Sequence, residues 1–273
     1  MHPEPHRQPF AIKHRILVCA CAGSGLTPDE KVRTLLHGFS PPDAEVVPVA
    51  DLCRLAARDR EQLAQYADAE KLTVVACFPR TVRSLLKWAE AEVADDALQV
   101  HNLRTGDPLA IRQLIEADCA ETETPAACGC NDPTGWPETT PPPADDGWVS
   151  WFPVIEKSRC SDCAQCLSFC LFGVYEIVDG KVQVTNPEGC KTGCPACARI
   201  CPEVAIIFPK YENSPVNGDE ITNFDEQKER IRVDMQKILG DNVYAALAER
   251  RRLRQQRVLL RAPQANQPTP STP

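Results

Sequence analysis

Apolar positions in the first part of the chain alternate between short continuous runs and helical stripes. Arg15 to Ala20 (RILVCA) reads as a buried strand that ends in Gly23-Ser24-Gly25, and Pro28 then opens a helical segment through Phe39. Ala44 to Val49 is a second strand. A long helix is expected from about Ala50 to Glu70, with Leu52, Leu55, Leu63 and Tyr66 near helical spacing. Leu72 to Phe78 (LTVVACF) is the strongest buried strand, and Pro79 starts a helix carrying Val82, Leu85, Leu86 and Trp88. Leu98 to His101 and a helix over Pro108 to Ala117 complete an α/β domain, residues 12–117, with a parallel sheet and right-handed crossovers.

The pattern then breaks. Residues 118–147 carry seven acids, no Lys or Arg, and Pro125, Pro133, Pro137 and Pro141-Pro142-Pro143, so an acidic, extended linker is expected. Residues 148–212 change period again. Val174–Val178 and Lys181–Thr185 flank Asp179-Gly180, a hairpin signal because both turn positions tolerate positive φ. Trp151–Ile155 and Ala205–Phe208 supply an outer pair of strands. A helical extension, 213–261, should hold one helix over about Asn223–Leu239 and another over Asn242–Leu260, divided by Gly240 and capped by Asp241. Residues 262–273 read as a disordered tail.

Fifteen cysteines in 273 residues change the picture. Hydrophobic residues make up 43% of the chain, enough for a core without disulfides, and the cysteine count is odd. The polar, proline-broken N-terminus has no signal-peptide layout and no stretch approaches a membrane span, so metal-bound thiolates in a reducing cytoplasm are expected. A net charge of −8 argues against nucleic acid as a partner. Arg250, Arg251, Arg252, Arg254, Arg257 and Arg261 form a basic helix face suited to an acidic partner, to the acidic linker or simply to solvent.

The chemistry is concentrated in Cys160-x2-Cys163-x2-Cys166-x3-Cys170 and Cys190-x3-Cys194-x2-Cys197-x3-Cys201-Pro202. Three close cysteines let one loop curl round a cubane, while the fourth, a helical step further on, points to the cluster of the other loop. Cys160, Cys163, Cys166 and Cys201 are therefore assigned to one [4Fe–4S] cluster, and Cys190, Cys194, Cys197 and Cys170 to a second. Structural zinc favours two separated Cys-x2-Cys knuckles, and no histidine follows His101 to make a mixed site.

This pattern resembles the two-cluster bacterial ferredoxins over about 60 residues. Leu171 stands where that family has proline, and the Cys190–Cys194 spacing is one residue longer. The resemblance implies a small α+β domain that moves single electrons between protein partners, a donor and an acceptor. Such a chain is expected to be a carrier or a relay subunit of an oxidoreductase rather than an independent enzyme. No Ser/His/Asp arrangement or phosphate loop suggests a catalytic site. An iron–sulfur sensor or cluster scaffold is the second reading, and a zinc protein the third.

Cys19 and Cys21 end the first strand, Cys53 opens the next helix and Cys77 ends the third strand, all at the carboxyl edge where open parallel sheets bind ligands. ILVCACAG and VVACFPR are similar to the N-terminal domain of heterodisulfide reductase A-like proteins, with Ala22 in place of that family's glycine. That resemblance implicates Cys19, Cys21, Cys53 and Cys77 in a third [4Fe–4S] cluster; four buried thiols are the alternative. Cys119, Cys128 and Cys130 are expected to be incidental free thiols, the alternative being a substitute ligand or redox thiol in the linker, and Arg80 either activates Cys77 or sits in an ion pair or faces solvent.

Overall fold

A computed structural model describes residues 12–91, 93–120 and 146–239, together with the helical positions 245, 249 and 252. The N-terminal part is a four-stranded parallel sheet in the order β2-β1-β3-β4, with β1 at His14–Cys19, β2 at Ala44–Val49, β3 at Lys71–Ala76 and β4 at Leu98–Asn102. Helices α1 (Asp29–Leu36), α2 (Leu52–Arg58), α3 (Arg60–Ala67) and α4 (Pro79–Trp88) make the crossovers, and α5 (Pro108–Ala120) follows β4. Alternate β1 residues serve opposite faces, as the pleat requires. Ile16, Val18 and Ala20 pack with α1 and α5, whereas Leu17 and Cys19 pack with α2, α3 and α4.

The single helix expected over 50–70 is two. Asp59 leaves the helical region (φ −141°, ψ 71°) and its carboxylate accepts the Gln62 N–H, so one residue ends α2 and caps α3. Helix α5 also runs on to Ala120, three residues into the expected linker, because Asp118 pairs with Lys71 and Cys119 is buried against β1. At the linker's other end Asp146 pairs with Arg54 and Arg58 of α2. The linker between these points, with Cys128 and Cys130, lies outside the described residues, as do most of the second C-terminal helix and the tail.

The cysteine-rich part is a small α+β unit. Strands β5 (Val154–Ile155) and β8 (Ile206–Ile207) pair antiparallel, helix α6 covers Gln165–Phe169, and β6 (Tyr175–Val178) and β7 (Lys181–Val184) form the hairpin. Asp179 and Gly180 both have positive φ, as the turn sequence requires. The outer strands are shorter than their sequence runs. Pro153 has no N–H to give, and Phe208 donates its N–H to the Val216 carbonyl instead of to a strand. Helix α7 follows at Phe224–Leu239.

The two parts share a core. Phe152, Val154 and Ile207 are buried in the same apolar cluster as the α2–α4 face of the parallel sheet, with Phe152 stacked on Trp148 and tilted against Trp88. Polar bonds reinforce it. Arg80 pairs with Glu156 at 2.7 Å and donates to the Asp219 carbonyl, and the Thr81 hydroxyl donates to the Asn217 carbonyl.

Candidate metal centres

The first cysteine loop is shaped by two left-handed residues. Asp162 and Ala164 have φ of 53° and 58°, and Ala164 turns the chain into α6, which carries Cys166 and ends on Cys170 in extended backbone. The Asp162 carboxylate accepts the Val182 N–H at 2.9 Å, tying the loop to the hairpin. The second loop repeats the plan with short 3₁₀ turns at Pro187–Gly189 and Ala198–Ile200, and Cys201, like Cys170, follows in extended backbone. Gly193, at φ 76°, lies within the Cys190–Cys194 segment, and a left-handed glycine there lets the longer spacing close.

Two cavities result. One is lined by Cys160, Cys163, Cys166 and Cys201, with Ile155, Val182 and Ile206 among its walls. The other is lined by Cys170, Cys190, Cys194 and Cys197, with Phe169, Val174 and Tyr175. Each quartet draws three cysteines from one loop and the fourth from the other. Among the described residues no three His, Cys, Asp or Glu side chains converge closely enough for a single metal ion. Four thiols round an apolar cavity are the kind of donor set that iron–sulfur clusters take.

The electrostatics agree. Burial, followed by neighbours of the same quartet (Cys201 on Cys166, Cys170 on Cys190), pushes the Cys166 and Cys190 thiols up to about 12. Thiols so placed keep their protons until a metal cation takes the proton's place. The sulfurs already have donors. The buried Tyr175 hydroxyl lies 3.0 Å from Cys197 Sγ, and the Ala205 N–H points to Cys201 Sγ at 3.4 Å.

The structure also gathers the N-terminal cysteines at the carboxyl edge of the sheet. Cys19 ends β1, Cys21 follows in a left-handed turn at φ 52° with Ser24 Oγ 3.0 Å from its sulfur, Cys53 lies in α2, and Cys77 joins β3 to α4. Their charges act on one another, Cys21 on Cys19, Cys53 and Cys77 alike, and burial raises all three, Cys77 to about 12. Arg80 is in the ion pair with Glu156, not an activator of Cys77. Cys119 stands apart, buried on α5 with its sulfur 3.5 Å from His14 Nδ1.

Sequence reasoning missed three residues here. Lys210, just after β8, reaches into the N-terminal group with its Nζ 2.8 Å from Asp51 Oδ2 and 3.5 Å from Cys21 Sγ. Asp51 also caps α2 by accepting the Cys53 and Arg54 N–H groups, and it accepts the Ser150 hydroxyl at 2.5 Å. Asp51 before an apolar helix is a legible cap signal. Nothing local marks Lys210 or Ser150.

Two cysteine-lined cavities in a small α+β unit fit a ferredoxin-like iron–sulfur module. Comparison with known proteins agrees. The chain is similar to Ferredoxin-3 of Nostoc sp., 30% identical over 89 residues, covering 24% of this chain and 91% of that protein. It is 48% identical over 62 residues to an uncharacterised ferredoxin of Methanocaldococcus jannaschii, 22% of this chain and 42% of that protein's length. It is 36% identical over 59 residues to pyruvate synthase subunit PorD of Methanothermobacter marburgensis, covering 22% of this chain and 67% of that one. The chain belongs to the ferredoxins through a segment of about a fifth of its length. No protein-family model matches the chain. The resemblance of residues 12–117 to heterodisulfide reductase A-like proteins finds no support in these relatives. Among the described residues no helix is long and apolar enough to cross a membrane.

Proposed function

We propose that the chain is an electron-transfer protein holding two [4Fe–4S] clusters, one on Cys160, Cys163, Cys166 and Cys201, the other on Cys190, Cys194, Cys197 and Cys170. The observation that carries the reading is the crossed cavity lining, three cysteines from one loop and one from the other, in both cavities. When bound, each cluster supplies reversible one-electron chemistry. The chain's own residues supply the rest. The thiolates hold the clusters, Ile155, Ile206 and Val174 keep water away, and the Tyr175 hydroxyl and Ala205 N–H donate to ligand sulfur. Cysteines of both quartets pack in or against one small apolar core, which keeps the two clusters near each other for electron passage.

Similarity to PorD, a pyruvate synthase subunit, favours the role of an electron-relay subunit within an oxidoreductase complex in a reducing cytoplasm, with the substrate chemistry on another chain. The proposal extends to a third [4Fe–4S] cluster on Cys19, Cys21, Cys53 and Cys77. These four cysteines lie in or against one apolar cluster beside a buried lysine, which supports it, and Cys190 packs against the same cluster. The test is an anaerobic reductive titration of the complete chain. Uptake of one electron per cluster, returned to an oxidised acceptor, is expected; a chain that takes up none is no electron carrier.

A further inference from the structure

Lys210 lines neither ferredoxin cavity. It belongs to the ferredoxin half in sequence and to the N-terminal half in space. The turn after β8 is fixed on both sides. Phe208 N–H bonds the Val216 carbonyl at 2.7 Å, Tyr211 N–H bonds the Phe208 carbonyl at 2.9 Å, and Arg104 from the N-terminal half donates to the Tyr211 carbonyl at 2.9 Å. From that turn the side chain enters the N-terminal cysteine group and is only 5% exposed.

A buried lysine opposite a single carboxylate is an expensive element of a fold. Desolvating two charges offsets most of their attraction, and an apolar pair of similar volume is often as stable. Asp51 is already engaged by two backbone N–H groups and the Ser150 hydroxyl, which neutralise part of its charge and aim Oδ2 at Lys210. The ammonium is thereby presented to Cys21 Sγ at 3.5 Å, and its charge reaches Cys19, Cys53 and Cys77 as well. Four thiolates round a cluster concentrate negative charge, and a fixed cation beside them offsets it.

We infer that Lys210 is the charge-compensating residue of the N-terminal cysteine site, delivered by the ferredoxin half and aimed by Asp51, and that it sets the reduction potential of the cluster bound there. The inference rests on the third-cluster reading. Reduction adds one negative charge to the site, so a fixed cation stabilises the reduced form more than the oxidised one. Lys210 is a positioning residue, touching ligand sulfur and not a substrate.

The experiment is an EPR-monitored redox titration of the full chain as wild type, Lys210→Met and Asp51→Asn, with iron counted on each sample. Lys210→Met is expected to shift the third-site reduction equilibrium toward the oxidised form by about tenfold, about 59 mV for one electron. Asp51→Asn keeps the cation and removes its counter-charge, and shifts the same equilibrium the other way. The ferredoxin signals stay where they were in both. Opposite shifts separate charge compensation from a structural role, which moves both variants alike. Unchanged third-site potentials at full iron content overturn the inference and leave the third cluster standing. Loss of third-site iron in both variants makes the pair structural and overturns it too. A wild type with iron for the two ferredoxin clusters alone overturns the third-cluster reading and the inference with it.

Discussion

Tyr175 offers a sharp test of how the protein tunes the second quartet. The ring is fully buried and its hydroxyl lies 3.0 Å from Cys197 Sγ. Burial holds the phenol well above its ordinary range, with the neighbouring thiol charges adding to the effect, so the hydroxyl stays protonated and donates. Tyr175→Phe removes that one donor and leaves the ring. A hydrogen bond to a charged group is worth about 1.5–3 kcal/mol. The bond strengthens as the cluster gains negative charge. If about a third of its worth is differential between oxidation states, the reduced form loses about 0.5–1 kcal/mol. That is about 20–40 mV for one electron. The sign follows from the charge: losing a donor disfavours the more negative state, so the potential of the Cys197 cluster falls. Anaerobic potentiometry followed by EPR resolves the two ferredoxin clusters. A drop confined to one cluster at unchanged iron content is expected. Equal potentials in wild type and variant refute the reasoning.

Other expected outcomes follow from single contacts. Cys163→Ala removes a ligand of one cavity and costs about four irons per chain, whereas Cys53→Ala leaves both ferredoxin clusters in place; iron counts with EPR read both, and loss of both ferredoxin clusters in Cys53→Ala breaks the assignment. Gly218 sits at φ 91°, and a Cβ there would run into Thr81 Oγ1, so Gly218→Ala should destabilise the chain by about 1–3 kcal/mol in a denaturant titration. An unchanged midpoint contradicts that packing. His14 and His101 are both held below the ordinary histidine value of 6.5, chiefly by burial, with the Lys71 charge adding at His14 and Asp118 opposing at both. The unfolded chain therefore takes up protons first as pH falls, and stability drops below about pH 6.5 until the lowered native values are passed. Replacing both histidines with glutamine should flatten the melting temperature between about pH 5.5 and 7.5; an unaltered slope assigns the effect elsewhere.

The cysteine quartets were legible because cluster loops are local in sequence: three ligands lie within seven or eight positions, and the fourth repeats at a fixed step. The parallel sheet was legible for the same reason, since its central strands β1 and β3 are six-residue runs buried almost throughout. What escaped depends on contacts made across the chain. Asp59 breaks a helix that its apolar spacing alone would continue, because its carboxylate prefers the cap of the next one. Phe152 reads as a strand residue of the second half, yet its ring fills the core of the first. Lys210 and Asp51 are 159 positions apart, and no periodicity reports a pair at that separation. The acids at 118–147 read as part of an extended linker, but Asp118 and Asp146 have fixed basic partners on the folded surface.

Iron and acid-labile sulfide per chain, measured on anaerobically purified protein, test the central claim most directly. The two crossed quartets predict about eight irons and eight sulfides from the ferredoxin cavities, and about twelve of each with the N-terminal site filled. Iron well below about eight after anaerobic reconstitution, or zinc in its place, contradicts the account.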